Sequence, residues 1–376
     1  MSLERRIAVA RGEEPADLVL RNARLVNVLS GEVHPADVAI WGGYIVGLGE
    51  GYEGQEEQDL GGRYLCPGFL DGHLHLESTL LQVAEFARTV VPHGTTAVVL
   101  DPHEIANVAG VAGIRYLLDS SEGAACTVYV MLPSCVPATD METSGAVLTA
   151  DDLAPLLEHP RVLGLGEVMI YPGVLSRAPE VLRKVRLAVG RPVDGHAPGL
   201  SGRDLNAYLA AGIRSDHECT TLEEAREKLR RGMAIMLREG TTAHNLRDLL
   251  PLVTPANARR FLLVSDDRHP DDLLDHGHMD HSLRLAIASG LDPVVAVQMA
   301  TRNPAEYFGL RDLGAVAPGY RADLVVLDDL HEVRVSQVYK DGRLVAQDGH
   351  LLPSAPQPPR VHLGNTMRVD WDRVDF

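Results

Sequence analysis

Six residues of this chain are of the types a divalent metal accepts, and each closes a short apolar run. The stretch PGFLDGHLHL, Pro67 to Leu76, ends in His73 and His75 just before Glu77. Side chains two apart on a strand share a face, so the two imidazoles can serve one transition metal. Four more candidates follow: Glu167 in GLGEVM, His196 in DGHAPG, His217 in SDHE and Asp266 in SDD. Six ligands exceed one tetrahedral site. They suit two ions sharing a bridge, which a carboxylate such as Glu167 can supply through its two oxygens. A bound divalent ion brings the pKa of water from about 15.7 toward about 7, and Asp266 can take a proton from that water and pass it to a leaving group. The chemistry expected is hydrolysis at an electrophilic carbon: a cyclic amide, an ester or an aminated ring carbon. Ligand spacing does not choose among them.

These residues need a scaffold that gathers strand ends. The runs PGFLDGH, TTAVVLD, CTVYVML, VLGLGEV, RPVDGHA, GIRSDHE, MAIMLRE and FLLVSDD are candidate strands, separated mostly by helix-sized segments such as TLEEAREKLRRGM and GRDLNAYLAAG. Buried parallel strands read as continuous apolar runs. Eight β/α units over 67–310 predict an α/β protein with a TIM-like (β/α)8 barrel, whose active site lies at the C-terminal ends of the strands. The polar residues singled out above sit there. Residues 1–66 and 311–352 have another texture, with alternating apolar segments such as ADLVLRNARLVNVLSGEV and ADLVVLDDLHEVRVSQVYKDGRLVAQDG broken by Gly, Asn and Asp. Both predict antiparallel strands, and together a small β-sandwich built from both chain ends. A Pro-rich linker, PSAPQPP, follows.

Two further polar clusters stand out. DPHEIANV after the second run holds Asp101, His103 and Glu104, open to substrate contact, a weak additional metal site or loop capping. DHGHMDHSL holds His276, His278 and His281 and repeats the His-x-His spacing. It is expected on a solvated loop entering a helix, with His278 the member able to line the pocket mouth.

Composition narrows the partners. The net charge of −17 over 376 residues repels nucleic acid and anionic membrane, while a free nucleobase carries no phosphate and remains compatible. No apolar run is long enough to span a bilayer, and MSLERRIAVARGEEPADL lacks the apolar core of a signal peptide; a cytoplasmic protein is expected. Cys66, Cys126, Cys135 and Cys219 form no CxxC pair. Cys126 and Cys135 are near enough to bridge, but free thiols are expected.

The order His-x-His, His, His, Asp on such a scaffold resembles the amidohydrolase superfamily and, within it, the adenine deaminase family. The resemblance is carried by PGFLDGHLHLEST, PHGTTAVVLDPHEIANVAG, GLGEVMIYPGV, DGHAPGLSGRDLNAYLAAGIRSDHECT, MLREGTTAHNL and DDRHPDDLL. Glu167 stands where many relatives with two metals place a carboxylated lysine. The resemblance implies deamination of adenine to hypoxanthine and ammonia, with two divalent ions, most often Mn2+ or Fe2+ and with Zn2+ feasible. It implies His73, His75 and Asp266 on one ion, His196 and His217 on the other, Glu167 between them, and Asp266 as proton shuttle. Glu239, in MLREG, would supply or position a proton at the purine N1. His103 joins the catalytic set, and Glu104 and Asp101 the substrate-binding set. A homo-oligomer is expected. Family members continue into a further C-terminal domain, whose opening the stretch NTMRVDWDRVDF in segment 353–376 resembles. The alternatives are another binuclear amidohydrolase acting on guanine or a cyclic amide, and a metal-binding protein without turnover.

Overall fold

A computed structural model describes residues 2–367 and 369–375. Met1, Arg368 and Phe376 lie outside the described residues, the last two within the segment expected to open a further domain. The eight apolar runs form eight strands: β6 (Phe69–Leu74), β7 (Thr95–Leu100), β8 (Thr127–Leu132), β9 (Val162–Val168), β10 (Val193–Gly195), β11 (Ser215–Asp216), β12 (Ala234–Arg238) and β13 (Phe261–Val264). All pair in parallel, as one sheet ordered β10-β9-β8-β7-β6 and a second ordered β11-β12-β13. The first is half a barrel in form. The last strand returns to the first at a single bridge, Leu74 with Asp266, where Asp266 N–H donates to His73 O at 3.0 Å.

Why these runs become buried strands follows from their two faces. In β7, Ala97 and Val99 join an inner cluster with Tyr129, Met131, Met236, Leu262 and Val264. Val98 and Leu100 face the other way, into the larger core shared with the surrounding helices. A strand covered on both sides has no polar face, and it reads as unbroken apolar sequence. The alternation also sets what protrudes at the strand ends. Met236 and Val264 point inward, so the period of two aims Arg238 and Asp266 inward as well.

The two chain ends meet in one nine-stranded ladder. Strands β1 (Ala16–Asn27), β2 (Glu32–Trp41), β3 (Tyr44–Leu48), β4 (Gly54–Asp59) and β5 (Tyr64–Pro67) come from the first end. Strands β14 (Leu324–Asp329), β15 (Arg334–Lys340), β16 (Arg343–Gln347) and β17 (His350–Leu351) come from the second. The order is β17-β16-β15-β14-β5-β1-β2-β3, with β4 also on β1. The join is β14 against β5, Val325 opposite Cys66. The four cysteines are free and buried. Among the described residues no helix is long and apolar enough to cross a membrane.

Candidate metal centre

The strand ends bring the six sequence-selected ligands into one buried cluster. His75 Nε2 lies 3.4 Å from both Glu167 Oε1 and Asp266 Oδ1, and His73 Nε2 lies 3.9 Å from Asp266 Oδ1. On the other side, His196 Nδ1 and His217 Nε2 lie 2.5 Å and 3.2 Å from Glu167 Oε2. Glu167 therefore turns one oxygen to the strand-one histidine and the other to the strand-five and strand-six histidines. The His73 and His217 rings stack at 4.3 Å between centroids, which closes the cluster into one unit.

Electrostatics prepare these groups for a cation. Burial pushes the Glu167 carboxyl up, but His196 and His217 override it and hold it well below the carboxylate range. Burial likewise opposes ionised Asp266, and His75, His217 and His73 outweigh it and bring it down. Burial and the neighbouring His217 and His75 hold His73 well below the usual imidazole value, and so neutral. For His217, burial is overcome by Glu167, then Asp266 and Asp216, which raise it to about 9. For His75, burial is overcome by Asp266, Glu104 and Glu167.

The donor set fits a divalent first-row ion. His73, His75 and Asp266 offer one ligand atom each within a common 4.8 Å radius of one another, as do His73, Glu167 and His217. His73 Nε2 and His217 Nδ1 are buried with no hydrogen-bond partner, a costly state for neutral polar atoms. A metal at His73 Nε2 would relieve it there. Imidazole and carboxylate donors suit Mn, Fe and Zn alike.

The support around the ligands is specific. Asp101, expected to contact substrate, serves the protein instead: its Oδ2 accepts Glu167 N–H at 2.7 Å, its backbone oxygen accepts from His75 Nδ1 at 2.8 Å, and it is buried. The reason is its inward parity at the end of β7, directly under Glu167. A Cβ on Gly166 would strike the Asp101 carboxylate, so that approach requires glycine. His103 does reach the cluster, its Nδ1 3.4 Å from Glu167 Oε1. Burial disfavours its charged form, but Asp101 and Glu104 lift it to about 9. Glu104 Oε2 is 3.4 Å from His75 Nδ1, and its side chain is 37% exposed, open to an entering ligand.

Glu239 is the clearest correction. Its carboxylate has no hydrogen bond or ion pair among the described residues and faces a separate cavity of about 390 Å³ with Arg268, His276 and His281. Parity explains this, because Arg238 takes the inward position and Glu239 the outward one. Sequence reasoning gave Arg238 no part in the site. Its Nη1 donates to Asp266 Oδ2 at 2.6 Å, and it forms a two-pronged pair with Glu218. Glu218, also missed, lies 3.5 Å from His217 Nε2. The inward parity of β12 was the available clue to Arg238.

The second histidine cluster does not form a surface patch. His276 is exposed, but His278 is 1% exposed, against the expectation of solvation. It sits 2.8 Å from Thr95 Oγ1 and 3.0 Å from Asp71 Oδ2, the latter too oblique for a hydrogen bond.

Comparison with known proteins agrees with this geometry. The amidohydrolase family model matches residues 64–345, and the chain belongs to the amidohydrolase family. Among curated relatives, adenine deaminase 2 of Carboxydothermus hydrogenoformans is 55% identical over 96% of this chain and 64% of its own length. The adenine deaminase of Desulfatibacillum aliphaticivorans is 54% identical over 98% and 65%. The chain thus spans slightly under two thirds of these relatives. Among solved structures, a mutant atrazine chlorohydrolase from Arthrobacter aurescens complexed with zinc and atraton shares the fold at a TM-score of 0.67 and 15% identity, over 90% of this chain and 97% of that one.

Proposed function

We propose that the chain carries the active site of an adenine deaminase, which converts adenine and water to hypoxanthine and ammonia. The observation that carries the reading is Glu167, whose two oxygens face two separate histidine sets. It is supported by the relatives named adenine deaminase at 54–55% identity. In this reading the strands form a TIM-like (β/α)8 barrel, and the terminal ladder folds into a small β-sandwich around Leu20, Leu25, Ile40, Leu65 and Val326.

His73, His75 and Asp266 would hold one divalent ion, His196 and His217 the other, and Glu167 both. Mn2+ or Fe2+ is the favoured pair. When bound, such ions acidify water at neutral pH and polarise the carbon under attack. The chain's own groups then account for the protons. Asp266, ionised because its histidine neighbours outweigh its burial, takes a proton from the water as the C6–O bond forms. It returns that proton to the amine as the C6–N bond breaks. Arg238 fixes the Asp266 carboxylate from the side away from His75. Glu218, Glu104 and His103 are the polar groups on the open side, suited to the donors and acceptors of a purine edge. The fitting partner is a free purine base rather than nucleic acid or membrane, in a cytoplasmic homo-oligomer.

The test is ammonia release from adenine by the purified, manganese-loaded chain beside Glu167→Gln. Release that falls at least about 100-fold in the variant is the expected result. Two ions bound without release would overturn the deaminase reading for this chain.

A further inference from the structure

The circle of strands lapses at two places, β13 to β6 and β10 to β11. The second lapse carries two ligands, His196 just beyond β10 and His217 just beyond β11. Backbone contact across it is slight: Arg214 N–H donates to Val193 O at 3.0 Å, and Gly195 N–H reaches Ser215 Oγ at 3.3 Å. A Cβ at Gly195 would strike Ser215 O, so the strands lie close there.

Side chains take over where the ladder stops. Asp216 Oδ1 accepts Ala197 N–H at 2.8 Å. Lys228, from the helix Leu222–Arg230, donates to Ala197 O at 2.7 Å, Asp216 Oδ2 at 2.9 Å and Glu224 Oε1 at 2.6 Å. Its exposure is 0%. Three ammonium protons meet three acceptors, which is what keeps a buried charge in place. Ala197 adjoins His196, and Asp216 adjoins His217. The pair thus holds both sides of the lapse, one residue from each ligand.

We propose that Lys228 is a positioning residue of the metal centre: through Asp216 and Ala197 it replaces the absent ladder and keeps His196 and His217 in ligand register. The inference rests on the metal-centre reading given under Proposed function. The opposite lapse is held independently. There Asp71 Oδ1 accepts both His73 N–H and Ser265 N–H at 3.2 Å, so His73, His75 and Asp266 do not depend on Lys228. The effect of losing Lys228 is therefore selective for one ion.

Lys228→Met alone strands a buried carboxylate and endangers folding. The experiment accordingly uses Lys228→Met together with Asp216→Asn, which removes both charges and keeps an oxygen for Ala197 N–H. Manganese titration of the full chain is expected to give one equivalent bound as in the parent and one weakened about tenfold or more, the range for partners that orient ligands. In the metal-free chain, amide exchange at Ala197 is expected to quicken about tenfold while Val98 and Val99 in β7 keep their protection. A purely structural role would lower the melting temperature and leave the affinities of the folded chain intact. Two equivalents at parental affinity, or unchanged exchange at Ala197, would overturn the proposal. A parent chain binding fewer than two ions would instead overturn the metal-centre reading, and exchange at Ala197 would still judge the role of Lys228 across the lapse.

Discussion

His73-x-His75 and His276-x-His278 are the same pattern in sequence, and the molecule uses them in opposite ways. On β6 and its end the two rings stand 4.9 Å apart in one cluster, because extended backbone returns side chains to the same face every second residue. Between the helices Pro270–Asp275 and Met279–Ala288 the chain turns through Gly277 at φ +93°. His276 is thrown to the surface, and His278 is driven inward under β6, edge-on to Phe86 at 5.8 Å. Spacing alone is thus mute, and the backbone state decides whether two imidazoles converge.

That contrast can be broken most severely at His73. His73→Asn is expected to reduce manganese bound per chain and to lower ammonia release from adenine about 100-fold, whereas His276→Asn stays within about twofold; parallel metal analysis and ammonia assays compare them. Next comes His278, whose role is support. His278→Phe leaves Asp71 and Thr95 without their neighbour and is expected to cost about 2 kcal/mol of stability, read from the urea midpoint.

The parity rule that separates the two patterns also separates Arg238 from Glu239. Arg238→Met is expected to lower kcat/KM for adenine about tenfold, the scale of one lost charge-assisted hydrogen bond. Glu239→Gln is expected to change it less than about twofold, and a larger loss would restore Glu239 to the site.

The smallest effect concerns His281. Burial, with Arg268, Arg284 and His276 nearby, presses its pKa down to about 4. The unfolded chain takes up this proton from about pH 6.5 downward, and the folded chain only near 4. Stability is therefore lost as pH falls through that window and levels off below it. His281→Gln should flatten the melting temperature between pH 6.5 and 4, by about 1 kcal/mol at most once solvent screening of this partly exposed ring is counted.

Much of this was legible in the residues. The eight strands announced themselves because two-sided burial leaves nothing polar inside a run such as TTAVVL, and the six ligands because they break that rule at one end. What stayed hidden depended on direction and partner. Asp101 looks like a binding residue until Glu167 N–H is seen to occupy it. Arg238 and Glu239 are neighbours in sequence, and only the inward facing of Met236 tells them apart. β10 and β11 shrink to three and two residues because side chains of Asp216 and Lys228 replace the ladder, and no apolar pattern encodes a salt bridge between a strand end and a later helix. The joining of the two chain ends was readable as matching texture. That they share a single ladder through β14 and β5 was not, since pairing across more than two hundred residues leaves no local trace.

The burial of all four thiols has a practical use. Burial raises the pKa of each, Cys126 to about 12 and the others also above the ordinary thiol value. At neutral pH they present almost no thiolate to an alkylating reagent. Met141, 89% exposed in the loop that follows β8, then becomes a place to install an addressable thiol. Met141→Cys would accept a fluorophore or spin label at the mouth of the metal centre without first stripping the native cysteines from the core.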